Sequence, residues 1–257
     1  MQTVRSRINI IPDGGGSIRL DKYLCEAGYG TRSEVKKLLR SCIVTVNGER
    51  GTKSETNIKD GYVVCVAGKE ASFSRVEYWM LHKPAGYISA TEDKKLDTVL
   101  ELLPENARSD LFPVGRLDRD TEGLLLLTND GKLAHYLLSP KRHVDKTYYA
   151  RIQGRVKSEH VQAFLEGLDI GDEKKTLPAE LRILKSGPES EIEVTIREGR
   201  FHQVKRMFEV IGCEVTYLKR LSMGSLKLDE TLEIGACRPL TEEELRKLKE
   251  ETGCWTE

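Results

Sequence analysis

A polar loop, Gly115-Arg116-Leu117-Asp118-Arg119-Asp120-Thr121-Glu122-Gly123, runs straight into Leu124-Leu125-Leu126-Leu127-Thr128 and then Asn129-Asp130-Gly131. Four leucines in succession show no alternation, and the run is too short for a helix, so it reads as an interior strand of a buried sheet. The loop before it then lies at the mouth of that sheet, with Asp118 between the guanidinium groups of Arg116 and Arg119. Flanking cations favour an ionised carboxylate and give the loop a means of holding phosphate. That combination suits a nucleophile working on a nucleic acid. A purely structural reading, in which Asp118 caps a turn and the arginines stabilise it, fits the same residues.

The segment from Asp118 to Gly123 also has the alternating acids and sixth-position glycine that open a calcium loop. Its twelfth position is Asn129 rather than a bidentate glutamate, and leucines fill the middle, which disfavours calcium. The six cysteines contain no CxxC pair, and the five histidines do not cluster with them. Idle thiols in a reducing compartment are therefore expected, with no metal site and no disulfide framework.

With 257 residues the chain can build one large domain or two smaller ones, and 39% hydrophobic with 32% charged residues describes a globular protein. No apolar run approaches the ~20 residues of a membrane span, and the N-terminus lacks a signal-peptide pattern. A cytoplasmic, monomeric protein is expected. Net charge is zero, from 41 basic and 41 acidic residues, but the distribution is uneven. Residues 17–75 hold 11 Lys/Arg against 7 Asp/Glu, and residues 197–220 hold 6 against 3. The tail 241–257 reverses this with 3 against 6, so terminal acid masks two basic patches.

Residues 1–16, ending in Pro12-Asp13-Gly14-Gly15-Gly16, read as a flexible leader. From Ile18 the pattern is helical: Leu20 and Leu24 share a face, and Thr31 or Ser33 caps a second helix running to Arg40 with Val35, Leu38 and Leu39 apolar. Its other face carries Arg32, Lys36 and Arg40 at i, i+4 spacing beside Lys37. Such a row can follow a phosphate backbone or can be an ordinary solvated face. Ile43-Val44-Thr45-Val46-Asn47-Gly48 alternates and turns at Asn-Gly, and residues 62–66 supply another strand. This stretch resembles the ribosomal-protein-S-four type of RNA-binding domain in Arg19-Leu20-Asp21-Lys22-Tyr23-Leu24, in Thr31-Arg32-Ser33 and in Val44-Thr45-Val46-Asn47-Gly48. Ser41 and Cys42 stand where that family usually has a glycine. The resemblance implies that Lys22, Arg32, Lys36, Lys37 and Arg40 face RNA.

A short polar segment, 68–75, reads as a linker between the RNA-binding domain at 17–67 and a second domain at 76–257. Beyond it the patterns predict strands at 76–81, 124–128, 146–152 and 191–197 and helices at 96–103, 159–168 and 201–211. Gly212 stops the last of these, and Thr241 opens a further helix with Glu244 completing a capping box. Asn129-Asp130-Gly131 reads as a hairpin turn and hence as antiparallel pairing. The fold class expected is α+β, with a mixed, mainly antiparallel sheet and flanking helices. In the 201–211 helix, Phe201, Val204, Phe208 and Ile211 form one apolar stripe, Lys205 borders it, and Arg206 points away, free to meet RNA. Lys205 can pair with a carboxylate or simply snorkel at the edge of the core. Tyr148 and Tyr149 fall on opposite faces of their strand, one to the core and one to a cleft.

Gly115-Arg116-Leu117-Asp118, extending through Asp120, Thr121, Glu122, Gly123 and the leucines, is similar to the signature of the pseudouridine synthases. Leu81-His82-Lys83-Pro84-Ala85-Gly86-Tyr87 resembles that family's first motif, with His82 where asparagine is more usual. Lys146-Thr147-Tyr148 resembles the second, and residues 198–208, from Glu198-Gly199-Arg200 through Lys205-Arg206 to Phe208, the third. The resemblance spans 77–245 and, with a basic domain in front, points to the branch acting on small-subunit ribosomal RNA, whose large-subunit relatives share the layout.

That resemblance implies an isomerase that detaches uracil from its ribose, rotates it and rejoins it through carbon five, without cofactor. It implies Asp118 as nucleophile or base at the sugar, Lys205 as its ion-pair partner, and Tyr148 as stacking platform or proton acceptor. Arg116, Arg119, Arg200 and Arg206 would hold phosphates around a base pulled from its stack. The implied partner is ribosomal RNA or a partly assembled small subunit, and no membrane. Two rivals are a non-catalytic rRNA-binding assembly factor, which would not need Asp118, Tyr148 and Lys205, and a phosphoryl- or methyl-transferring RNA enzyme, which would want a Gly-rich cofactor loop.

Overall fold

The computed structural model describes residues 17–41, 43–50, 53–59, 61–71, 76–105 and 107–253. The leader, Cys42 and residues 72–75 of the expected linker lie outside the described residues. The chain divides into two units, residues 1–76 with 106–108 and residues 77–105 with 109–257.

The first unit opens with strand β1 (Ile18–Arg19) and helices α1 (Leu20–Glu26) and α2 (Arg32–Arg40). Thr31 caps α2: the Glu34 carboxylate accepts from its backbone N–H at 2.7 Å and from its hydroxyl at 2.8 Å. Leu20, Tyr23, Leu24 and Val35 are fully buried, so the two helices meet on the expected apolar faces. Strands β2 (Val44–Val46), β3 (Glu49–Arg50), β4 (Asn57–Ile58), β5 (Val64–Val66) and β6 (Lys69–Glu70) follow. β4 pairs with β1, and the rest form a sheet in the order β3-β2-β5-β6. Asn47 and Gly48 turn the chain with φ of 51° and 86°, the left-handed pair that a two-residue hairpin needs. Ala67 and Gly68 repeat it at 49° and 78°. Residues 68–71, assigned from sequence to the linker, are therefore a hairpin arm, and the Ala71 carbonyl accepts the Tyr23 hydroxyl.

The second unit is built on strands β7 (Tyr78–Lys83), β8 (Phe112–Pro113), β9 (Glu122–Thr128), β10 (Lys146–Gln153), β11 (Glu180–Lys185), β12 (Glu189–Ile196), β13 (Glu214–Met223), β14 (Leu226–Lys227) and β15 (Cys237–Pro239). The main path runs β11-β12-β10-β13-β9-β7-β15, with β14 against β13 and β8 against β9. Every pairing is antiparallel except β9 with β13. β9 lies between β7 and β13, so all four leucines are at most 1% exposed. Helices α3 (Gly131–Leu138), α4 (Ser158–Glu166), α5 (Gln203–Val210) and α6 (Glu242–Thr252) flank this sheet. Phe208 of α5 packs on Phe164 of α4 at 5.1 Å between ring centres, and Thr241 with Glu244 caps α6.

Two sequence expectations give way. Asn129-Asp130-Gly131 is a helix start: the Asp130 carboxylate accepts from the Leu133 N–H at 3.0 Å and caps α3, whose Leu133, Ala134 and Leu137 are buried. A hairpin needs a strand immediately after its turn, and the apolar spacing after Gly131 is helical. The helix at 96–103 shrinks to one 3₁₀ turn, Val99–Leu102: at its start Thr98 is extended at ψ 157° and bridges Ile88, and at its end Pro104 forces Leu103 into an extended conformation at ψ 148°.

Candidate active site

The loop carrying Asp118 is fixed from beneath. Lys83 ends β7 fully buried, and its ammonium donates to the carbonyls of Pro84 (2.9 Å), Asp118 (3.1 Å) and Thr121 (2.8 Å), with Arg119 at 3.4 Å. Burial pushes the Lys83 pKa down to about 8, against the attraction of Asp120, Glu122 and Asp118. Ser89 holds the loop's other flank, its hydroxyl bonded to both the N–H and the carbonyl of Leu117 at 3.0 Å. Gly123, at φ 104°, lets β9 close on β13: a Cβ there would lie 2.3 Å from the Arg220 carbonyl oxygen.

The Asp118 carboxylate is about one-third exposed and faces two groups from the α5 end of the chain. Lys205 Nζ stands 3.4 Å from one oxygen and His202 Nε2 3.7 Å from the other. Lys205 is thus brought to Asp118, yet it lies nearer Asp120, donating to its two oxygens at 2.7 and 2.9 Å. Burial tends to raise the Asp120 carboxyl, but the Lys205 hydrogen bonds and charge outweigh it and hold it below the usual range. The arginines that sequence places beside Asp118 do not pair with it. Arg119 donates to the Gly86 carbonyl at 3.0 Å, and Arg116 is exposed.

Tyr148 is buried on β10, while Tyr149 turns to the opposite face, donates to Glu191 at 2.8 Å and meets the Tyr217 ring edge-on. Across the sheet Tyr148 stands opposite Arg220, Arg220 opposite Gly123, and Gly123 opposite Lys83. Directly opposed residues share a face, so Tyr148, Arg220 and Lys83 line one row leading to the Asp118 loop. Arg220 is 2% exposed; its Nε donates to the Leu124 carbonyl at 2.8 Å, and its buried Nη2 has no hydrogen-bond partner among the described residues. Lys146 adds a third buried cation, bonded to the Val144 carbonyl at 3.0 Å, with burial and then the Arg220 charge pushing its pKa down to about 8.

The other expected phosphate ligands are engaged within the protein. Arg206 is not free: its guanidinium reaches the Asp172 carboxylate and the carbonyls of Ile170 and Phe201. Arg200 bonds Glu198 at 3.0 Å and the carbonyls of Lys174 and Lys175 at 2.6 and 2.8 Å. Phe201 also leaves its expected stripe. His202 takes a left-handed φ of 48°, which separates Phe201 from the helix that begins at Gln203, so α5 buries Gln203, Val204, Met207 and Phe208 instead. In the first unit Lys22, Arg32, Lys36, Lys37 and Arg40 are all exposed.

Sequence reasoning missed Lys83, Asp120, His202 and Arg220 as parts of the site. A lysine closing an apolar strand was a usable signal for Lys83, and a second acid two residues beyond Asp118 for Asp120. Nothing local marks Arg220, whose polar segment becomes a strand only by pairing with β10 and β9.

The arrangement offers a solvent-reaching carboxylate on a rigid loop, a buried aromatic and an excess of buried cations, a setting suited to covalent or base chemistry on an anionic polymer. Residues 77–210 match the family described as RNA pseudouridylate synthase, and residues 18–64 match the S4 domain. An uncharacterised RNA pseudouridine synthase of Bacillus subtilis is 46% identical over 91% of this chain and 99% of its own length. The ribosomal small subunit pseudouridine synthase A of Vibrio vulnificus is 41% identical over 89% of this chain and 98% of its own. The ribosomal large subunit pseudouridine synthase B of Bacillus subtilis is 38% identical, over 90% and 95% respectively. A solved pseudouridylate synthase superposes with a TM-score of 0.64 at 37% identity, covering 90% of this chain and all of that one. The chain belongs to the RNA pseudouridine synthase family, with an S4 domain preceding its catalytic unit.

Proposed function

We propose that this pseudouridine synthase isomerises a uridine of small-subunit ribosomal RNA and that Asp118 is the group acting at its sugar. The observation that carries the assignment is the Asp118 carboxylate held at 3.4 Å from Lys205 on a loop anchored by the buried Lys83. The small-subunit reading is supported by the 41% identity to a synthase named for that subunit, against 38% for one named for the large subunit.

The reaction breaks the bond from C1′ to N1 and forms one from C1′ to C5. C5 loses a proton and N1 gains one, so no electrons are exchanged with another molecule. Asp118 acts on the ribose, by adding to C1′ or by removing a ribose proton. Lys205 and His202, at 3.4 and 3.7 Å from its two oxygens, set its orientation. Tyr148 offers a flat face for the detached uracil, and the Arg220 Nη2 in the same row is a donor available to the base. The exposed face of α2, with Lys22 nearby in sequence, adds affinity for the RNA backbone.

Asp118→Asn keeps the size of the side chain and removes its charge. The rate of pseudouridine formation on rRNA from cells lacking the protein should fall on the order of 10⁴-fold, as for an essential catalytic carboxylate. Retained activity overturns the assignment. Mapping pseudouridine in both rRNAs of such cells tests the subunit: loss of a site from large-subunit rRNA alone refutes the small-subunit reading.

A further inference from the structure

Phe201 is 72% exposed, the highest exposure among the large buried-type side chains that the described residues leave open, and it sits beside the site. Its ring is not loose. It stacks on His202 with centroids 3.8 Å apart and planes 17° from parallel, and His202 in turn reaches Asp118 at 3.7 Å. The main chain beneath is held on every side. The Phe201 carbonyl accepts from Arg206 at 3.2 Å, the Arg200 N–H donates to Gln203 at 2.9 Å, and Arg200 is tied to Glu198, Lys174 and Lys175. His202 is kept in the left-handed region at φ 48°, a strained conformation for a residue with a side chain. Strain that persists because its surroundings over-determine it is typical of ligand clamps. Here it presents one face of a phenyl ring to solvent and closes the other with imidazole.

We propose that Phe201 is a second stacking platform that takes a nucleobase of the RNA next to the one being isomerised. The inference rests on Asp118 marking the reacting position, since that places the platform one ring away from the sugar. The surroundings select the occupant. Arg116 and Arg119 are exposed on the facing loop, which favours a polyanion over an apolar peptide, and a neutral phenyl ring stacks on any base through its π-face. The arginines of the 198–206 segment thus act as the frame of a base platform, which accounts for their being committed to Asp172 and to carbonyls instead of phosphates.

The test uses the full chain and rRNA from cells lacking the protein. Phe201→Ala should raise KM about tenfold, the weight of one base–aromatic stack, with the larger share of the effect in KM and RNA affinity rather than in kcat. Phe201→Trp should restore KM, and its emission above that of the unsubstituted protein should be quenched on RNA binding. Phe201→Leu should not restore KM. An unchanged KM in Phe201→Ala, rescue by leucine as complete as by tryptophan, or tryptophan emission indifferent to saturating RNA would each overturn the platform. Carrying Phe201→Trp in the Asp118→Asn chain separates the two readings. Quenching without turnover supports the platform, and turnover in that chain refutes the role of Asp118 alone.

Discussion

Two groups of cations in this protein do opposite work with the same side chains. Lys83, Lys146 and Arg220 are at most 7% exposed and spend their hydrogen bonds on backbone carbonyls around the site. Arg32, Lys36, Lys37 and Arg40 on α2 stand in solvent along one basic face. A buried ammonium loses its hydration and must be met by fixed acceptors, so it acts by geometry and is costly to remove. An exposed one acts at a distance, through counterions released from a polyanion, and is screened by salt. The contrast predicts that buried members control folding and rate, while exposed members control affinity and its salt dependence.

The largest effect is expected from Lys83→Met, which strips the acceptors at Pro84, Asp118 and Thr121 of their donor inside the protein. Leaving several buried carbonyls unpaired should cost on the order of 3 kcal/mol, read from urea unfolding, and should abolish activity by releasing the Asp118 loop. A loss below about 1 kcal/mol would mean that the loop keeps its shape unaided, and the contrast would collapse.

Next in size is the exposed face. Replacing Arg32, Lys36 and Arg40 together with alanine should weaken RNA binding about ten- to hundredfold at low salt. The slope of log affinity against log salt should fall by roughly 2–3, with unfolding unchanged. An unaltered slope would show that α2 does not meet RNA.

How far each region could be read in advance follows from where its determinants lie. The Asn47-Gly48 turn, the Thr31 and Thr241 caps, the leucines of β9 and the opposed faces of Tyr148 and Tyr149 are set by neighbours in sequence, and their patterns are local. β13 is different: Glu214–Met223 carries Lys219 and Arg220 in its interior and becomes a strand because β10 and β9 pair with it from either side. Arg220 was invisible for the same reason. Periodicity also overreached at Phe201, where one left-handed residue, His202, makes the helix begin at Gln203, later than the apolar spacing suggests. Arg206 does point off the apolar stripe, but Asp172, from a loop 34 residues earlier, captures it.

A smaller effect separates Lys146 from solvent lysines through pH. Its pKa of about 8 lies below the ordinary 10.5, so between those values the unfolded chain binds the proton that the folded chain has lost. Stability from this group therefore rises as pH rises through that window. The thiols of Cys213 and Cys237, raised by burial, and the Tyr217 phenol, raised to about 12, contribute with the opposite sign. The comparison that isolates Lys146 is the protein against Lys146→Met from pH 8 to 10. The unsubstituted protein should gain about 2 kcal/mol more than the variant over that range. Parallel curves would mean that Lys146 is not desolvated.

The smallest effect is expected at the cation lying between the two extremes. Lys205 is one-fifth exposed and divides itself between Asp118 at 3.4 Å and Asp120 at 2.7 Å. By distance alone Asp120 is the better partner, and the issue is which carboxylate does the chemistry. Asp120 is 72% exposed and screened by solvent, whereas Asp118 is 30% exposed and sits on the carbonyl that Lys83 anchors. Solvent weakens the Lys205–Asp120 bond without breaking it, so Asp120→Asn should change stability by less than about 1 kcal/mol. Freed of its competitor, Lys205 can close fully on Asp118, so kcat should fall less than about tenfold, a small fraction of the effect at Asp118. If the two variants exchange these outcomes, the anchored carboxylate only supports the site, and the solvent-facing one carries the reaction.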